Sequence, residues 1–231
     1  MNTHLVPPTS PPSPRLWGRR KGRPLHVRKS LLMAEYLPRV EMTVPTEGKQ
    51  EPRALFPEKP TAIWLEIGFG GGEHLAAQAM RNPAIGFIGC EPFVNGVASL
   101  LDHLERGKIE NVRVFPNDAR LLLDSLPDAA IDRCFVLFAD PWPKARHAER
   151  RFIGPENLPR LARVIKPQGM LRLATDDARL AEWMLEHMRT AEAFEEIHNA
   201  PTPPADWMPT RYEQKAIAVG RAPVYRDYRR R

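Results

Sequence analysis

Two cysteines are few for 231 residues. Cys90 and Cys134 each lie inside an apolar, strand-like run, with no second Cys or His near at ligand spacing. That argues against a disulfide framework and a zinc site. The expectation is two buried free thiols and no metal. Long apolar runs are also missing. The stretch Ile131–Ala139 is interrupted by Asp132 and Arg133 and falls far short of the ~20 residues that span a bilayer. No apolar h-region opens the chain, so no signal peptide and no membrane association are expected, and the cytoplasm is the expected location.

Acid is absent from residues 1–34, which carry seven Lys/Arg. Five arginines and one aspartate stand in 221–231. The whole chain is +6, so the middle carries −5. Basic ends suit a polyanionic partner, nucleic acid first. Charge alone fits a pair of solvated tails equally well.

What is present is an α/β pattern. The hydrophobic fraction of 42% supports the core of one domain of ordinary size. Residues 1–14 are proline-rich and suit disorder. In "RLWGRRKGRPLHVRK", residues 15–29, basic residues alternate with Trp17 and two glycines, as in an arm that folds onto phosphates. A short helix is expected in "SLLMAEYLPRV". The expected division is a basic, Pro-rich, largely disordered arm over 1–50 and a domain over 51–231. Deleting residues 1–30 is expected to weaken RNA binding and to spare any cofactor site.

From Thr61 strands and helices alternate. "AIWLEIGFG", "AIGFIGCEP", "NVRVFPND", "IDRCFVLFAD", "GMLRLATD" and "AFEEIHN" read as strands, with helical stretches between them. The tail reads as a helix, "RYEQKAIAVG", then a last strand. Such alternation implies a mostly parallel sheet with helices on both faces.

Ligands of these sheets bind beyond the carboxyl ends of the strands. Those ends carry Glu66, Glu91, Asp118, Asp140 and Thr175-Asp176. One such acid is usually a helix cap; a series along one edge suggests a site. In "LEIGFGGGEH", Gly68 and Gly70 let backbone approach a ligand. Glu73 stands where a G-x-G-x-x-G fingerprint needs its last glycine, which disfavours a dinucleotide. The loop with its acids suits S-adenosylmethionine instead. Glu66 is placed for the ligand's ammonium, Glu91 for the ribose hydroxyls and Asp118 for the adenine amino group. His74, beside the loop, reads as a surface or capping residue.

"LEIGFGGGEHL", "FADPWPKARHAERRF", "LATDD" and "TRYEQKAIAVG" together resemble the bacterial tRNA (guanine-N7-)-methyltransferases, and "WGRRKGRPL" resembles their basic arm. The resemblance covers the chain from about residue 17 to its end. It implies a seven-stranded, Rossmann-like methyltransferase fold with the last strand antiparallel. It also implies methyl transfer from S-adenosylmethionine to N7 of a variable-loop guanosine (position 46) of tRNA. Cofactor contacts are implied at Glu66, Glu91, Asp118 and Asp140. Substrate contacts are implied at Lys144, Asp176 and Thr210, Arg211, Tyr212 and Glu213. RNA contacts are implied for the loop holding Arg146, His147, Arg150 and Arg151. No obligatory protein partner is evident. One departure is "GCEPFVNGV", where many members carry a His-containing segment.

The residue types fit that chemistry. Guanine N7 has a free lone pair, so no proton need leave and no strong base is required. The task is to hold two reactants in line. Asp140 is the expected catalytic group, acting on the base, the cofactor or the developing charge. Pro141 and Pro143 stiffen its backbone. Trp142 is either a stacking platform or a core aromatic.

Overall fold

The computed structural model describes residues 18–231. The proline-rich stretch and Trp17 lie outside the described residues. Seven strands form one sheet: β1 (Ala62–Ile67), β2 (Ile85–Cys90), β3 (Val112–Phe115), β4 (Ile131–Leu137), β5 (Ile165–Thr175), β6 (Phe194–Ala200) and β7 (Val224–Arg230). Their order is β3-β2-β1-β4-β5-β7-β6. β3, β2, β1, β4 and β5 are mutually parallel, while β7 runs antiparallel to β5 and β6. The expected architecture is therefore present, including the reversed last strand.

Helices cover the two faces because the central strands are apolar on both sides. Ile63, Leu65 and Ile88 are fully buried. α4 (Val94–Gly107) buries Val97, Leu100, Leu101 and Leu104 at helical spacing, in a cluster with Leu75 and Ala79 of α3 (Glu73–Arg81). The other face packs α5 (Ala119–Ser125), α6 (Leu158–Val164) and α7 (Ala178–Thr190) through residues such as Leu122, Leu161 and Met184. Asp118 caps α5 by accepting from Arg120 N at 2.9 Å, and Asp177 caps α7 by accepting from Leu180 N at 2.9 Å. Cys90 and Cys134 are free and buried, and burial pushes both thiols up. Among the described residues no helix is long and apolar enough to cross a membrane.

The described part of the expected disordered arm is ordered against the domain. α1 (Val27–Leu31) and α2 (Leu37–Val40) flank one π-helical turn, Leu32–Tyr36. Leu37 N donates to Leu32 O across that wider turn, just before Pro38, which has no N–H to give. Leu32, Leu37, Val40 and Met42 are buried, and Met42 N donates to Val114 O, covering the edge at β3. Apolar side chains at helical spacing outweigh the basic composition here, so packing does not divide at residue 50.

Candidate active site

The sheet order brings the carboxyl ends of β3, β2, β1 and β4 side by side. A cleft of about 440 Å³ opens there. Gly68 and Gly70 of the loop after β1 line it. Gly70 has φ +58°, a conformation that favours glycine, and a Cβ on it would stand 3.0 Å from the Tyr212 ring. Gly96, in the first turn of α4, lies on the same loop. A Cβ there would stand 2.2 Å from Gly70 O. Only glycine lets helix and loop meet this closely.

Glu91 follows β2 and locks the loop in place. Its Oε2 accepts from Gly70 N at 2.9 Å and its Oε1 from Phe93 N at 2.9 Å. Burial pushes its carboxyl above the ordinary 4.5, and the Phe93 and Gly70 amides pull the other way. A carboxylate offers about four lone-pair sites, so Glu91 keeps acceptor capacity toward the cleft.

Asp140 is exposed and lines the same cleft. Its loop is held in an unusual shape. Phe138 and Trp142 have φ +52° and +43°, conformations that cost ~1–3 kcal/mol each for such side chains. The surroundings enforce them. Phe138 N donates to Ala174 O at 2.7 Å. Arg151 donates to Pro141 O at 3.0 Å and Trp142 O at 3.2 Å, with its guanidinium 4.9 Å from the Trp183 ring centre. Arg151, expected to meet RNA, is thus turned onto its own loop. Lys144 and Arg146 are exposed. Arg150 lines the cleft and lies over the half-buried Trp142 ring at 5.1 Å. His147 stands edge-on to Trp142, and desolvation, then Arg150, Arg146 and Lys144, push its pKa below 6.5.

Three expected contacts look different in three dimensions. Glu66 is buried beneath the loop rather than lining the cleft, and His74 Nδ1 donates to its Oε2 at 2.7 Å. His74 is therefore neither surface nor cap: it is 4% exposed. Asp118 does line the cleft, but Arg120 grips both of its oxygens. Asp176 pairs with Arg221 at 2.6 Å.

The segment 210–213 opens α8 (Arg211–Ala218). Thr210 Oγ1 accepts from Glu213 N, and Glu213 Oε2 accepts from Thr210 N, both at 3.0 Å. This reciprocal capping box turns Glu213 inward, where Trp207 Nε1 and Tyr225 OH also donate to it. Glu213 is thus an interior acceptor with its bonds taken. Arg211 is exposed, and Tyr212 lines the cleft. Sequence reasoning missed Trp207, whose isolation in "PADWMPT" carries no period.

It also missed how the arm reaches the cleft. Gly18 and Arg19 are lining residues. Asn95 Oδ1 accepts from Gly22 N at 2.9 Å, and Asn95 Nδ2 donates to Arg23 O at 2.8 Å. Val94 N donates to Arg20 O at 2.9 Å. The arm is latched at the start of α4, within the segment where the sequence departs from the family pattern.

Comparison with known proteins gives the site its context. Residues 60–225 match a family model described as "Putative methyltransferase". The tRNA (guanine-N(7)-)-methyltransferase of Paramagnetospirillum magneticum is 52% identical over 223 residues, covering 94% of this chain and 93% of the relative. The chain belongs to this family. The Caulobacter vibrioides tRNA (guanine-N(7)-)-methyltransferase is 48% identical, covering 98% of this chain and all of the relative. Among solved structures, the 16S rRNA methyltransferase KamB superposes with a TM-score of 0.57 at 14% identity, covering 74% of this chain and 88% of its own. That likeness concerns the methyltransferase fold alone. As a tRNA (guanine-N(7)-)-methyltransferase family member, the chain places its glycine loop, Glu91, Asp118 and Asp140 around one cleft at one sheet edge.

Proposed function

We propose that this chain transfers the methyl group of S-adenosylmethionine to N7 of a tRNA guanosine, in the variable loop (position 46). The observation that carries the reading is the cleft itself. A glycine loop held by Glu91 faces Asp140, on a chain of this family. The donor set fits the cofactor. Glu91 has acceptors for ribose hydroxyls, the backbone at Gly70 leaves room that a side chain would fill, and Asp140 is an anion suited to a cationic sulfonium. The cofactor, when bound, supplies an electrophilic methyl group.

The protein's part is placement. N7 attacks with its own lone pair, so no side chain need remove a proton, and in-line positioning carries the rate. Asp140 orients the reactants and offers negative charge as positive charge moves onto the purine. The constrained backbone at Phe138 and Trp142 fixes its position. Trp142, on the cleft wall with Arg150 across its face, forms a platform on which a base stacks, worth ~1–3 kcal/mol. Lys144, Arg146 and Arg150 meet the phosphates around the splayed nucleotide, with His147 beside them. Tyr212 on the cleft wall and the exposed Arg211 face the guanosine with Asp176, and Thr210 and Glu213 hold that segment from inside. The setting is the cytoplasm, with tRNA the partner.

The test is methyl transfer from labelled S-adenosylmethionine to unmodified tRNA, followed by strand cleavage specific for N7-methylguanosine. Label with cleavage in the variable loop is the expected result, and Asp140→Ala is expected to abolish it while the chain stays folded. Label elsewhere in RNA would overturn the substrate assignment, and wild-type turnover by Asp140→Ala would overturn the role of Asp140.

A further inference from the structure

The loop that carries Asp140 is held in shape from outside itself. Pro141 and Pro143 have no N–H to donate, and Phe138 and Trp142 sit at φ +52° and +43°, where residues other than glycine are strained. Three successive carbonyls of the loop are held by arginine side chains. Arg151 Nε donates to Pro141 O at 3.0 Å, Arg151 Nη2 to Trp142 O at 3.2 Å and Arg179 Nη1 to Pro143 O at 3.4 Å. The place of Asp140 therefore depends on what fixes those guanidinium groups.

That support is α7. Arg179, Trp183 and His187 stand at i, i+4 and i+8, on one face of the helix. The Arg151 guanidinium lies over the Trp183 ring, 4.9 Å from its centre. The indole is itself fixed. Trp183 Nε1 donates to Ile153 O at 2.6 Å, and the Ile153 side chain is buried in the core. The His187 ring packs on the indole with ring centres 4.0 Å apart, and His187 Nδ1 donates to Trp183 O at 2.8 Å. One helix face thus meets the loop at Pro143, at Arg151 and at Ile153, on both sides of the basic segment 144–150. An aliphatic side chain at 183 could fill the same space, but it would give neither the N–H nor the π face.

We propose that Trp183 is a positioning residue for methyl transfer: it fixes Arg151 and Ile153, and through them the loop that presents Asp140. The inference rests on the role given to Asp140 above. Trp183 is not among the residues lining the cleft, so its effect passes through the loop. Loss of the indole should leave binding of each reactant nearly intact and slow the step that needs Asp140 in place, because a small misplacement of a reacting group lowers the rate steeply.

The experiment compares Trp183→Phe and Trp183→Leu with the wild type, each as the full chain. Phe keeps a ring face for Arg151 and loses the N–H to Ile153 O; Leu loses both. Single-turnover methyl transfer to unmodified tRNA is expected to slow by about ten-fold or more in Trp183→Leu and by less in Trp183→Phe. Affinity for S-adenosylhomocysteine by calorimetry and for tRNA by filter binding is expected to stay within about two-fold of wild type. Trp183→Leu combined with Arg151→Ala is expected to be no slower than the slower of the two single variants. Hydrogen exchange in the free Trp183→Leu chain is expected to quicken across residues 138–153 and to stay unchanged in the glycine loop after β1. Should Trp183→Leu fail to fold, Trp183→Phe carries the same comparison. A wild-type single-turnover rate in folded Trp183→Leu would overturn the proposal. An equal loss of rate and of S-adenosylhomocysteine affinity, or exchange quickened throughout the domain, would overturn it too, because Trp183 would then be a general packing residue. If the wild type methylated no tRNA, the reading of function would fail; hydrogen exchange then decides the clamp alone, and unchanged exchange across 138–153 in Trp183→Leu would remove it.

Discussion

The indole N–H of Trp207 donates to the Glu213 carboxylate at 2.8 Å, inside the protein. Glu213 is 5% exposed and takes further bonds from Thr210 N and Tyr225 OH. The pair joins the loop before α8 to the first turn of that helix and to β7. Asp206, next in sequence to Trp207, is held at 2.7 Å by both Arg133 and Arg172. The segment that opens α8 therefore rests on polar contacts that reach into the interior at Glu213 and Arg172.

Glu213→Gln puts an amide N–H₂ beside two N–H groups that can only donate, Trp207 Nε1 and Thr210 N, and a Tyr225 hydroxyl that donates to the carboxylate. Hydrogen bonds to a charged group contribute roughly 1.5–3 kcal/mol, so a loss of that order is expected. For a chain this size that corresponds to roughly 5–10 °C in Tm. The check is thermal unfolding without ligand. An unchanged Tm, with a raised KM for tRNA, would return Glu213 to the role of a direct substrate contact.

Asn95 ties the arm to the cleft by bonding Gly22 N and Arg23 O. The sequence alone suggests that the arm serves RNA and not the cofactor. With Gly18 and Arg19 lining the cleft, removal of residues 1–23 is expected to weaken S-adenosylhomocysteine binding as well as tRNA binding. Asn95→Ala is expected to reproduce part of the cofactor effect with the arm still attached. Titration calorimetry of both variants decides it; unchanged cofactor affinity in both would separate arm from site.

The cations of the loop after β4 are expected to behave in two ways. Lys144 and Arg146 are exposed, so removing either should weaken tRNA binding and lower the salt slope by about 1 for each phosphate no longer neutralised. Arg151 holds Pro141 O and Trp142 O. Arg151→Ala is expected to lower turnover by releasing the Asp140 loop, with little change in salt slope. Filter binding across a salt series, alongside single-turnover rates, distinguishes the two.

Cofactor affinity should fall with acid earlier than an ordinary glutamate would make it. Burial raises the Glu91 carboxyl above 4.5, so it takes up its proton at a higher pH as the solution is acidified. Protonation removes acceptor capacity and opposes binding. The same raised value means that ionising Glu91 costs the free fold stability as pH rises through that window, above 4.5. Glu91→Gln is expected to bind weakly at all pH values and to flatten this acid limb in calorimetry.

Local pattern accounts for the legible part of this protein. Runs such as "AIWLEI" and the spacing of Val97, Leu100, Leu101 and Leu104 declare strand and helix because burial of apolar side chains follows the backbone period. The strand-end acids are legible for a related reason: sheets of this class place ligands where strands end, so position along the chain reports position at the site. Partnerships are not legible in that way. His74 and Glu66 are eight residues apart, Arg133 and Asp206 seventy-three, and no periodicity links either pair.

By itself, the sequence determined the order of elements, the sheet edge that holds the cleft and the residue types gathered there, because these follow from short-range periodicity and strand direction. Only the tertiary structure decided which of those residues face the cleft. It turned Glu66, Glu213 and Arg151 inward, paired Arg120 with Asp118 in the cleft wall, and brought Asn95 to the arm. A side chain's direction depends on which distant donors and acceptors burial leaves to be satisfied, and those meet only when the chain is folded.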